Sequence, residues 1–187
     1  MPSVQCTHSS EFPGPIVTMQ GVLKHANPGR SLRFALLVSL ALSVFWLVLS
    51  ATVRAEPLSI TGPEGEFVLS QEDILAISNQ ELITATPWTD GNHAFRGAPL
   101  AAVLERAGIQ RGWVNARGLN HYSINLPLNK VLASHAFLAV HMNGELMRIK
   151  DKGPFWIIFP WNDHSELLTR DVRSWSVWQL QSLRALD

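Results

Sequence analysis

The chain has 187 residues, 47% hydrophobic and 16% charged, with 15 Lys and Arg against 15 Asp and Glu. That balance is uneven: Lys24, Arg30, Arg33 and Arg54 face only Glu11 in residues 1–55, which leaves residues 56–187 with 11 basic and 14 acidic side chains, about −3. Such a surface lacks the basic footprint of a nucleic-acid binder, and the sole cysteine, Cys6, leaves residues 56–187 without a disulfide, a thiol nucleophile or a metal-binding thiolate.

The first feature in chain order is "FALLVSLALSVFWLVLS", residues 34–50, uncharged and preceded by Arg30 and Arg33. Small Val53 and Ala55 follow at the spacing of a signal-peptidase site. The segment therefore reads as a signal peptide cleaved after Ala55, with a retained membrane anchor as the alternative. Its 17 residues fall short of the ~20 of a relaxed spanning helix. Residues 4–18 carry Glu11, two prolines and no basic side chain, so Met19 is the expected start. Cys6 is too far from the cleavage site for a lipid-modified N-terminus. Residues 56–187 are expected outside the cytoplasm, in the periplasm or its equivalent, as one domain with a single core.

Within that domain "SITGPEGEFVLS" (59–70) shows turn residues and a short strand. Ser70 and Asp73 form a carboxylate variant of the capping box ahead of the helix "QEDILAIS". "ELITATPW" alternates Leu82, Thr84 and Thr86 with Ile83 and Ala85, a strand that Pro87 ends. Leu100, Val103, Leu104 and Ala107 fall at helical spacing between Pro99 and a C-capping Gly108. The polar residues from Trp88 to Arg96 are expected as a loop between that strand and that helix. "WVNA" and "HYSINLP" read as strands, and "LNKVLASH" as a short helix. "AFLAVHMNGELMRI" reads as a hairpin turning at Asn143-Gly144, and "GPFWIIFPW" as a buried strand. A last strand is expected from Ser176 to Leu180. Mixed strands and short helices without βαβ regularity predict an α+β fold.

Taken in order, "WTDGNHAFRGAPLAAVLERAG", "LNHYSINLP", "LAVHMNGELM", "DKGPFWIIFP" and "VWQLQSL" resemble the molybdopterin-binding domain of the sulfite-oxidase type of oxidoreductase. The resemblance runs over residues 58–183 and implies that family's fold. It also implies a pterin cofactor whose molybdenum is held by a cysteine thiolate, and here the sequence departs. Residues 56–187 have no cysteine. Phe155 and Trp156 stand where the family carries a strand arginine, and Val177 where a phosphate-holding lysine precedes Trp178. The arginines before the apolar segment are split as Arg30 and Arg33, unlike the twin-arginine signal of members exported with their cofactor. These departures favour the fold without its metal.

On that basis the expected cofactor-cleft residues are Trp88, Asn92, His93, Arg96, Tyr122 and Arg173. His93 and Arg96 are apt anion donors. The plainer reading of Asp90-Gly91-Asn92 is a turn. Tyr122 and His121 are weighed against core packing and plain exposure. Arg170 and Arg173 are candidates to replace the lost lysine, against a solvated surface pair. His135 and His141 on one strand would lie ~20 Å apart at ~3.3 Å per residue and would not share an ion. The six tryptophans from Trp88 to Trp178 are read as mostly core, with Trp88 at the rim of a cleft. No catalytic residue and no metal ligand is assigned. The expected role is an exported, non-catalytic ligand-binding or interaction module for a small anion or a pterin-like molecule, with a membrane sensor or redox partner. Molybdopterin stays open by resemblance, the alternative being a small molybdopterin-dependent oxidoreductase with a non-thiolate metal site.

Overall fold

Two five-stranded sheets wrap one hydrophobic core in residues 56–186, which the computed structural model describes. The apolar segment 34–50, the cleavage signature at Val53 and Ala55, Met19 and Cys6 lie outside the described residues. Among the described residues no helix is long and apolar enough to cross a membrane.

The first sheet has the order β2-β1-β10-β5-β6, with β1 (Leu58–Gly62), β2 (Gly65–Leu69), β5 (Trp113–Gly118), β6 (Ser123–Pro127) and β10 (Leu180–Leu186). All its neighbours are antiparallel except β1 and β10, which run parallel, with Ser59 opposite Ser182 and Thr61 opposite Arg184. The second sheet runs β3 (Gln80–Thr86), β4 (Thr89–Pro99), β7 (Phe137–Met142) and β8 (Glu145–Leu146), with β9 (Trp156–Ile158) also pairing β7. Among the described residues four short α-helices complete the α+β fold: α1 (Gln71–Ile77), α2 (Leu100–Glu105), α3 (Leu128–Ala133) and α4 (Arg170–Trp175).

Local chemistry accounts for most of these boundaries. Ser70 and Asp73 cap α1 reciprocally, as the sequence predicts. Asn143 and Gly144 both take positive φ (54° and 86°), the backbone of the two-residue turn joining β7 to β8. Buried Leu100, Val103 and Leu104 seat α2 on the core. Gln71, at the start of α1, is buried and its amide nitrogen donates to the carbonyls of Val140, Met147 and Pro154 at 3.2, 3.1 and 2.9 Å. One side chain thereby ties α1 to β7 and to the segments flanking β8 and β9.

Three expectations are corrected. The stretch from Trp88 to Arg96 is no loop: β4 occupies Thr89–Pro99 and pairs with β3 on one side and β7 on the other. β3 pairs the stretch from Asn92 onward and β7 only from Phe95 onward, which holds the backbone extended there, while Asp90 and Gly91 (φ 72°) form the bulge where the β3 register shifts. The last strand is not Ser176–Leu180. Thr169 accepts from the Val172 backbone N–H and starts the unforeseen α4, so the strand begins only at Leu180. The opening segment forms a two-stranded hairpin, with Gly62 opposite Gly65. Trp156, Trp161 and Trp175 are buried as expected, whereas Trp113 is 52% exposed.

Candidate functional site

Trp88 occupies the turn between β3 and β4. Its backbone N–H donates to the Thr86 hydroxyl (3.2 Å), which also bonds the Thr89 hydroxyl (2.8 Å). The indole lies at the centre of an aromatic group, 5.4 Å from Trp178, 5.9 Å from Trp161 and 6.1 Å from Trp156 between ring centroids. Trp156 is locked in place: its indole N–H donates to the Ser176 hydroxyl (3.0 Å), which donates to the Ile157 carbonyl (2.7 Å). Lys152, in a left-handed backbone conformation (φ 67°), puts its ammonium 4.9 Å from the Trp178 ring centroid and 5.8 Å from that of Trp156. Its carbonyl accepts from the Gln179 backbone N–H at 2.8 Å, which fixes it beside the entry to β10.

Between this group and the turn ahead of β6 opens a cleft of about 460 Å³ including its mouth. Trp88, Trp178 and Tyr122 supply its apolar walls, and Asn120, Ser176 and Arg173 its polar groups. Tyr122 spans one side, its hydroxyl donating to the Ser174 carbonyl at 3.0 Å. Burial pushes its phenol above the ordinary tyrosine range. The Asn120 side-chain oxygen accepts from the Tyr122 backbone N–H (3.1 Å), and Arg173 stands exposed at the mouth on α4. Aromatic walls with a few placed polar groups are the usual make-up of a small-molecule site.

Three of the six expected residues, Trp88, Tyr122 and Arg173, meet in this cleft; Asn92, His93 and Arg96 lie elsewhere on β4. Asn92 accepts from the Asn162 amide at 3.0 Å, and the Arg96 guanidinium is spent on the Asn79 side-chain oxygen at 2.7 and 3.2 Å. Both ring nitrogens of His93 are engaged, one with the Asn143 amide (2.9 Å) and the other with the Asp90 carbonyl (3.1 Å). Asn143 donates, so Nδ1 of His93 is the acceptor and Nε2 carries the proton. His93 thus serves the β7–β8 turn.

His135 and His141 do not meet. His135 stacks on His164 (5.2 Å between centroids) beside a wider groove that also includes Glu81, Leu82, Leu132 and Phe137, whereas His141 is on β7 opposite Arg96. Asn120, Ser176 and Trp178 are the cleft residues that the sequence did not single out, as is Lys152 beside the Trp178 ring. Asn120, Lys152 and Trp178 had a signal in their places within the family-like "LNHYSINLP", "DKGPFWIIFP" and "VWQLQSL", and Ser176 had none.

The model of the oxidoreductase molybdopterin-binding domain family matches residues 70–163, half of the chain. Among solved structures the chain is similar to the sulfane dehydrogenase SoxCD from Paracoccus pantotrophus, at 23% identity and a TM-score of 0.51. That alignment covers 69% of this chain and 37% of the SoxCD chain, so the chain spans little more than a third of the length of that relative. Identity at this level speaks to the fold alone. No curated protein matches the sequence. Arg173, Ser176 and Trp178, half of the named cleft, lie beyond the family-matched stretch.

The family normally binds molybdopterin, and the donor set here does not fit a protein-ligated molybdenum. Among the described residues there is no cysteine and no group of three His, Cys, Asp or Glu side chains placed to hold a metal. The indole, phenol and amide groups of the cleft include no thiolate equivalent that would ligate molybdenum.

Proposed function

Because the chain belongs to the oxidoreductase molybdopterin-binding domain family, we propose that it uses this fold as a non-catalytic ligand-binding module outside the cytoplasm. Its ligand is a small anion or a pterin-like molecule, and its state is read by a membrane-bound sensor or a redox partner. The observation that carries the reading is the cleft itself, where Trp88, Trp178 and Tyr122 offer flat apolar surface under an exposed arginine with no metal donor set among them. Export rests on the uncharged run 34–50 after Arg30 and Arg33, with Val53 and Ala55 behind it.

Metal and pterin analysis of protein purified from its native compartment tests the proposal. The expected result is metal-free protein in the extracytoplasmic fraction, with a saturable thermal shift on adding pterins or small anions. Stoichiometric molybdenum or tungsten with pterin overturns it and makes the chain a small oxidoreductase with a non-thiolate metal site. No shift across a broad anion and pterin screen reduces the domain to a scaffold.

A further inference from the structure

Resting on the ligand-binding reading above, the hydrogen-bonding inventory of the cleft narrows the ligand to one chemical class. The polar groups of the wall are largely used internally. Ser176 accepts from Trp156 and donates to Ile157, the Ser174 hydroxyl donates to the Asp171 carbonyl (2.6 Å), and Tyr122 donates to the Ser174 carbonyl. What is left over is donor capacity. The Asn120 oxygen is taken by the Tyr122 backbone N–H, leaving its NH2 group, and the Arg173 guanidinium has no carboxylate partner among the described residues. No Asp or Glu lines the cleft. Of the two indoles of the cleft, Trp178 already carries the Lys152 ammonium at 4.9 Å.

From this arrangement we infer that the cleft takes a planar aromatic carboxylate, its ring against the indole and phenol walls and its carboxylate on the Arg173 guanidinium with the Asn120 amide beside it. Arg173 offers the paired N–H geometry that a carboxylate matches with two bonds. A cationic ring finds no counter-charge here, and Lys152 and Arg173 both repel it. A neutral ring gains the walls but leaves the guanidinium without an acceptor. An anion without a ring gains the guanidinium but leaves the aromatic surface uncovered.

Calorimetric titration of the full chain with four probes separates these cases: 2-naphthoate, 2-naphthalenemethanol, phenyltrimethylammonium and inorganic phosphate. The expected result is saturable binding of naphthoate, at least about tenfold tighter than the neutral ring or phosphate, with no binding of the ammonium. Arg173→Gln, at an exposed position, should remove that tenfold advantage and leave the affinity for the neutral ring unchanged. Binding of the neutral or cationic ring as tightly as naphthoate overturns the carboxylate assignment and leaves the ligand-binding reading standing. An unchanged naphthoate affinity in Arg173→Gln does the same. If none of the four binds, both the assignment and the cleft as a ligand site fall.

Discussion

The Trp88 and Trp178 indoles meet edge to face at 5.4 Å, which joins the β3–β4 turn of one sheet to the residues leading into β10 of the other. The contact lies within the apolar wall of the cleft, so the same rings serve stability and shape the site.

Trp88→Ala should therefore be costly even though the side chain is only half-buried. It removes three ring contacts together, and a loss of about 3 kcal/mol is expected. Trp88→Phe should recover part of it. Urea unfolding followed by far-UV circular dichroism measures both, and near-wild-type stability in Trp88→Ala would show the cluster to be ornamental.

Gln71 supplies one amide to three buried carbonyls. Gln71→Leu keeps the bulk and removes the donor, at an expected cost of about 2 kcal/mol. Gln71→Glu should cost more at neutral pH, because a carboxylate faces three carbonyl oxygens. Chemical denaturation of both variants at pH 7.5 gives the order.

At Gly97 the β4 backbone passes close against β7. A Cβ there would run into the Leu138 carbonyl oxygen and stand 3.1 Å from the Ala139 Cα, both parts of a backbone that cannot swing aside. Gly97→Ala should lower stability by about 3 kcal/mol or yield insoluble protein, and a soluble variant melting like the parent would contradict the close approach.

His141 sets a pH dependence. Burial first, and then the Arg96 guanidinium, hold its pKa below the ordinary histidine value, with Glu145 and Glu72 partly opposing; its Nδ1 is buried without a hydrogen-bond partner. The unfolded chain takes up the proton at about 6.5, whereas the folded chain does so only at lower pH. The contribution is thus complete above about pH 6.5 and declines as pH falls toward the folded-state pKa. His141→Gln should flatten the stability profile between pH 7.5 and 5.5, and an unchanged slope would assign it to other groups.

Much of the fold was legible because its signals are local. The Ser70–Asp73 cap, the helical spacing from Leu100 to Ala107 and the Asn143-Gly144 turn each specify their own backbone. β4 was hidden because Thr89 to His93 are all turn-prone or polar, and only pairing with β3, interrupted by a bulge at Asp90-Gly91, draws them into the strand that β7 joins from Phe95. β10 was hidden for a geometric reason. Buried Leu180 and Leu183 are three apart, a helical spacing, because an irregularity between Leu180 and Ser182 resets the alternation. The cleft was half legible: aromatic and basic residues stood out, but placing His93 and Arg96 required the register of β4. Lys152 reaches the tryptophans through a left-handed turn with no sequence signature.

The parallel pair of β1 and β10 also fixes an order of events. β10 lies between β1 and β5 in its sheet, yet among the described strands it is the last in chain order. Until residues 180–186 emerge, the β1–β2 and β5–β6 hairpins are two separate ribbons with open edges and no strand between them. A contact of such long sequence separation makes completion of the sheet a late, all-or-none step. A chain stopped after Trp178 should melt without cooperativity, because the strand that fastens its beginning to its middle is the one still missing.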